Sequence, residues 1–129
     1  MRVDRSELAA VFAGGFAGAV ARALVAEGLP QTGAGWPWAT FAVNLAGALV
    51  LGWVATRLAP TSYERPLLAT GFCGALTTFS TMQLELLDML DGERYALAAG
   101  YTGASVAGGL LAVALGTAAA RRRGGGVAT

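Results

Sequence analysis

The chain has 129 residues, 55% of them hydrophobic and 13% charged, with nine arginines, no lysine and eight acids for a net charge of +1. That is one domain's length, too apolar for an ordinary soluble fold and without a basic face for nucleic acid. Histidine is absent and Cys73 is the single cysteine, which excludes disulfides, His/Cys metal sites and Ser–His or Cys–His nucleophile pairs. Cys73 lies between Phe72 and Gly74 in an apolar run and reads as a small buried hydrophobe.

Met1 to Glu7 is a charged head in which Ser6, followed by Glu7, reads as an N-cap. From Leu8 to Ala26 the only charge is Arg22, so residues 7–26 match the roughly 20 residues that a hydrocarbon core requires. A cleaved leader would look similar, but Asp4 and Glu7 in the head, three glycines in the run and the further apolar spans favour a first membrane helix. Gly14, Gly15 and Gly18 leave one side of it bare enough for another helix to approach. Arg22, near the far end, can snorkel to the interface or meet a wet vestibule.

Gly28, Pro30, Gly33, Gly35 and Pro37 mark a loop, and Trp36 and Trp38 set the headgroup level. The second helix is expected over 37–58, uncharged until Arg57 and closed by Pro60. Asn44 lies inside it, where an amide must find a partner. It can tie two helices together or contact a ligand.

Pro66 opens the third span, 65–90, which is apolar up to Gly71 and then carries Thr77, Thr78, Ser80 and Thr81 close behind Gly74. Four hydroxyls in five residues beside a glycine form a helix-breaking composition, so two half-helices are expected to meet near 74–79. Irregular backbone at membrane depth is tolerated only against protein or a watery cavity, which makes the break the functional centre. Asp91-Gly92 signals the next turn, and a long fourth helix follows over 94–120. Tyr101 and Ser105, four residues apart, share one of its faces. The glycine-rich end, 124–129, is expected to be disordered.

Four spans put both termini on one side. Arg2, Arg5, Arg57, Arg65 and Arg121 to Arg123 share it, seven of the nine arginines, against Arg22 and Arg94 opposite. The positive-inside rule places that side in the cytoplasm of a multi-pass protein of the cell inner membrane. The polar groups inside the spans are Asn44, Thr77 to Thr81, Gln83, Tyr101 and Ser105, nearly all neutral donors. Such a site can replace the water of a small anion without trapping it as a fixed positive charge would. Phe79 can add the positive edge of its ring. Carbonyls freed at the break would instead suit a cation.

Gly14-Gly15-Phe16-Ala17-Gly18-Ala19-Val20-Ala21-Arg22, Thr40-Phe41-Ala42-Val43-Asn44-Leu45-Ala46-Gly47, Gly71-Phe72-Cys73-Gly74-Ala75-Leu76-Thr77-Thr78-Phe79-Ser80-Thr81 and the pair Tyr101 and Ser105 occur in order along nearly the whole chain. In these four places the sequence resembles the Fluc, or CrcB, fluoride channels of bacteria. The resemblance implies an all-α membrane protein of four helices whose subunits pair in opposite orientations around two fluoride pores. It implies no enzyme activity, but passive export of cytoplasmic F⁻ that lowers fluoride toxicity. It implies a structural Na⁺ at the dimer centre, held by the backbone carbonyls of Gly74 and Thr77. Asn44, Phe79, Ser80, Thr81, Tyr101 and Ser105 would line the pore, with Arg22 and Glu85 in the vestibule. Met82 stands where the family usually has a second pore phenylalanine, so one ring per subunit faces the ion. The arginine asymmetry points to one preferred orientation, and so to a heterodimer with a related, oppositely inserted subunit, with a homodimer as the alternative. Two other readings remain at this point. One is a poorly conducting assembly partner, which Met82 allows. The other is a small multidrug-type exporter, which would need an acid in the first span, and residues 8–26 contain none.

Overall fold

A computed structural model describes residues 4–30 and 35–124, so Arg2, Gly33 and the end of the glycine-rich tail, 125–129, lie outside the described residues. Among the described residues all regular structure is helical: α1 (Arg5–Gly28), α2 (Trp38–Arg57), a π-helical segment (Pro66–Cys73), α3 (Gly74–Leu76), α4 (Phe79–Asp91) and α5 (Tyr95–Gly124). The helices α1, α2 and α5 are each long and apolar enough to cross a membrane. The chain is a multi-pass membrane protein, and its large exposed apolar side chains, such as Phe12, Phe16, Leu24 and Leu110, suit that setting.

Several boundaries differ from the sequence reading. The cap of α1 is Asp4, whose carboxylate accepts the Ser6 N–H at 2.9 Å, so the helix starts before Ser6. Asp caps as well as Ser, and Asp4 has the extended backbone that a cap needs. At the other end α5 runs on through Arg121, Arg122 and Arg123 to Gly124, past the expected stop at Ala120, because basic side chains favour a helix C-terminus. The turn after α4 takes its left-handed residue at Glu93, φ 57°, while Gly92 stays at φ −82°.

Two close helix pairs organise the molecule. A β-carbon on Gly14 would collide with the Leu67 carbonyl, and one on Gly18 with the Phe72 carbonyl and then, at 3.1 Å, the Leu76 N–H. Successive turns of α1 therefore meet successive turns of the π-helical segment and α3, and the two run parallel in backbone contact. The bare face expected of α1 is used there. In the same way Gly52 of α2 meets the Val113 backbone, and Gly116 of α5 meets Leu49 and Trp53, so α2 and α5 also run parallel. The buried core joins Met82 and Met89 of α4 to Ala98 and Tyr101 of α5, with Trp36, Phe41, Leu86 and Leu97 packed against them. Trp36 stands edge-on to both Phe41 and Tyr101, at centroid distances of 5.3 and 5.4 Å.

Candidate functional site

The third hydrophobic segment is interrupted at Thr77 and Thr78, both in extended backbone with ψ of 151° and 113°. The break falls inside the expected window and is narrower than it. Asn44, half-buried on α2, holds it open. Its Oδ1 accepts the Thr78 N–H at 2.8 Å, and its Nδ2 donates to the Thr78 carbonyl at 3.2 Å. One side-chain amide thus satisfies both backbone groups of the residue at the interruption, as irregular backbone inside a membrane requires. Asn44 thus ties α2 to the backbone of the third segment. The second Nδ2 hydrogen is left over from this pair of bonds.

Thr78 then starts the next helix. Its Oγ1 accepts the Thr81 N–H at 3.2 Å and donates to Thr81 Oγ1 at 2.9 Å, an N-cap with a hydroxyl relay. Thr77 turns back, with both its N–H and its hydroxyl on the Cys73 carbonyl, at 3.0 and 2.9 Å. In a continuous α-helix the N–H of Thr78 would serve the Gly74 carbonyl and that of Thr81 the Thr77 carbonyl. Here those two donors go to Asn44 Oδ1 and Thr78 Oγ1. The oxygens of Gly74 and Thr77 are thereby released from helix duty, and hard carbonyl oxygens of this kind suit a small cation.

Two cavities meet at Thr78. The first, about 360 Å³, is lined by Asn44, Gly47, Cys73, Gly74, Thr77 and Phe79 among others. Phe79 is 72% exposed, and a β-carbon on Gly74 would touch nothing. The second, about 240 Å³, lies between α1, α2 and the start of α4 and is lined by Arg22, Thr40, Val43, Thr78 and Thr81. The Asn44–Thr78 pair stands between them. Arg22 therefore faces a cavity with hydroxyls rather than lying apart from the break.

One turn further along α4, Glu85 takes two hydroxyl donors, Thr40 Oγ1 at 2.5 Å and Tyr101 Oη at 2.7 Å. This half-buried carboxylate ties α2, α4 and α5 together. Tyr101 is fully buried, and Met82 is 8% exposed within the same core. Ser80 and Thr81 are exposed and Ser105 is half-buried, a turn beyond Tyr101 on α5. The structure thus gathers Asn44, Gly74, Thr77 and Phe79 at one cavity, Arg22 and Thr81 at the next, and Glu85 with Tyr101 behind them. Ser80 and Ser105 line neither cavity. Sequence reasoning passed over Thr40. Its place four residues before Asn44, and so on the same side of α2, was the available signal.

Residues 9–117 match the family model described as "CrcB-like protein, Camphor Resistance (CrcB)". The chain is 57% identical over 123 residues to a protein of Mycolicibacterium paratuberculosis named "Fluoride-specific ion channel FluC 1", covering 92% of this chain and 93% of that one. It is 53% identical over 124 residues to a protein of the same name from Mycobacterium tuberculosis, with the same coverage of 92% and 93%. A third relative, "Fluoride-specific ion channel FluC" of Chlorobaculum tepidum, is 47% identical over 116 residues, 86% of this chain and 91% of its own length. The matched stretch contains α2, the break and the Asn44–Thr78 bonds that hold it, and the chain belongs to the CrcB family.

Proposed function

We propose that the chain is a subunit of a fluoride-selective channel that lets cytoplasmic F⁻ leave the cell passively, with no enzymatic step. The observation that carries this is the Asn44–Thr78 pair. It keeps the third segment open at Thr77–Thr78, with Phe79 exposed beside the gap and hydroxyls of Thr78 and Thr81 on its other side. Moving a bare fluoride into low dielectric costs tens of kcal/mol before compensation, so several neutral donors must converge, and the break provides them. The ring of Phe79 and the spare Nδ2 hydrogen of Asn44 are the first contacts on one side of the break and the hydroxyl of Thr81 on the other, with the exposed Ser80 hydroxyl between them on α4. Tyr101, Ser105 and Glu85 continue the polar path, and Arg22 draws the anion toward its cavity. Met82 packs in the wall behind. The names of the relatives identify the ion.

The parallel run of α2 and α5 supports a fold of four membrane crossings, in which the broken segment and α4 together make the crossing between Arg57 and Tyr95. Two subunits in opposite orientation would bring the open faces around Phe79 and Gly74 together. The carbonyls of Gly74 and Thr77 from both would then hold a structural Na⁺, a ligand set of hard oxygens that fits that ion. The arginine bias favours a related, oppositely inserted partner over a second copy. Passive F⁻ efflux from liposomes, measured with the chain alone and with a related subunit, tests this. An efflux in either case supports it, and no efflux in both overturns it. Labelling of a C-terminal tag equally from both membrane faces would overturn the fixed orientation.

A further inference from the structure

We propose that the arginines at the joined C-terminal ends of α2 and α5 form a binding site for the headgroup of an anionic phospholipid. Arg57 closes α2, and Arg121, Arg122 and Arg123 close α5, and all four are exposed. The parallel contact of the two helices brings Arg57 beside the last turn of α5, around which Arg121, Arg122 and Arg123 follow one another. Gly52 lies against Val113, the Thr117 hydroxyl donates to the Gly52 carbonyl at 3.4 Å, and a β-carbon on Gly124 would stand 3.1 Å from Arg57 Nη1.

The depth of the cluster selects the ligand. The 30 residues of α5 span about 45 Å at 1.5 Å each, against a hydrocarbon core of about 30 Å, so its last turns rise into the headgroup layer. A guanidinium offers a planar pair of donors to two phosphate oxygens, and basic residues between helix ends at this level are suited to anionic lipid headgroups. Among the described residues the one ion pair joins Arg94 to Asp88, at the opposite end of the molecule. Asp4, Glu7 and Glu64 lie on the same side as the cluster. Asp4 and Glu7 border a separate hollow with Pro60, Ser62 and Pro66 and pair with none of the four arginines. The two helix C-termini contribute roughly half a negative charge each, less than the four guanidinium groups supply. A simple solvated run of charge would not require Arg57 to meet the end of another helix.

Native mass spectrometry of the full chain, released from detergent micelles holding equal phosphatidylglycerol and phosphatidylcholine, tests the site. The chain should retain phosphatidylglycerol about tenfold over phosphatidylcholine, and each of Arg57→Gln, Arg121→Gln, Arg122→Gln and Arg123→Gln should lower that ratio by up to about fivefold. Arg94→Gln should leave it unchanged. If one of these variants yields no folded protein, the remaining single variants read the same ratio. Equal retention of the two lipids, an equal loss in Arg94→Gln, or displacement of the lipid by excess inorganic phosphate would each overturn the proposal. The readout involves no fluoride flux, so it stands or falls separately from the channel reading.

Discussion

Replacing Asn44 by leucine keeps the approximate volume of the side chain and removes both polar atoms that hold the break. The Thr78 N–H then loses its acceptor at 2.8 Å and the Thr78 carbonyl its donor at 3.2 Å. Interhelical bonds in membranes contribute about 0.6 kcal/mol each, while a buried backbone group left unsatisfied costs about 1–3 kcal/mol. Taking both groups together and allowing for partial relaxation, the broken conformation should weaken by about 2–4 kcal/mol relative to its competitors. At 1.4 kcal/mol per tenfold, the lower figure already reduces the open population about 30-fold. The Thr78 N–H could return to the Gly74 carbonyl and close the helix, which removes the cavity at Phe79. Fluoride-electrode recording of liposome efflux reads the flux, and scanning fluorimetry in the same detergent reads the stability. Efflux and midpoint both at wild-type level in Asn44→Leu would refute the reasoning. Asn44→Asp is the sharper companion, because it keeps the acceptor for Thr78 N–H and sets a second oxygen against the Thr78 carbonyl, and it should lose flux as severely.

Other substitutions separate the remaining parts. Tyr101→Phe leaves one oxygen of Glu85 without its 2.7 Å donor and should cost about 1–3 kcal/mol of stability, with efflux reduced about tenfold or more. Unchanged melting and flux would remove Glu85 from the path. Phe79→Ile removes the ring of a mostly exposed residue, so efflux should fall sharply while the melting midpoint stays put. A parallel loss of stability would make Phe79 a packing residue instead. Gly18→Ala drives a methyl group into the Phe72 carbonyl, backbone that cannot step aside, and should destabilise the fold by about 3 kcal/mol or prevent its recovery from the membrane. Normal yield and a normal elution profile would contradict the parallel contact of α1. Glu93→Gly relieves a left-handed residue at φ 57° and should raise stability by about 0.5–1 kcal/mol, read as a higher thermal midpoint.

The apolar runs, the interruption beside Gly74 and the residues around it were legible in the sequence because each rests on composition that a membrane constrains tightly. Gly14 and Gly18 announced a close helix contact, although nothing in them named the π-helical segment as the neighbour. That segment depends on which carbonyl the next turn meets, a register that residue types do not encode. Asn44 was visible as an amide needing a partner, but whether it served a helix or an ion depended on where Thr78 lay across a sequence gap of 34 residues. Glu85 was placed near a pore end by resemblance alone. Its two hydroxyl partners come from α2 and α5 and meet only once the helices pack. The cap at Asp4 and the strained Glu93 were missed for a local reason. Ser6 and Gly92 are good residues for those tasks, and the backbone used their neighbours.

Anion flux through reconstituted protein tests the central claim most directly. Liposomes loaded with equal fluoride and chloride and made permeable to potassium should release fluoride quickly and retain chloride when they contain the chain, alone or with a related subunit. Release of both anions together, or retention of both, would contradict a fluoride path built on the Asn44–Thr78 break.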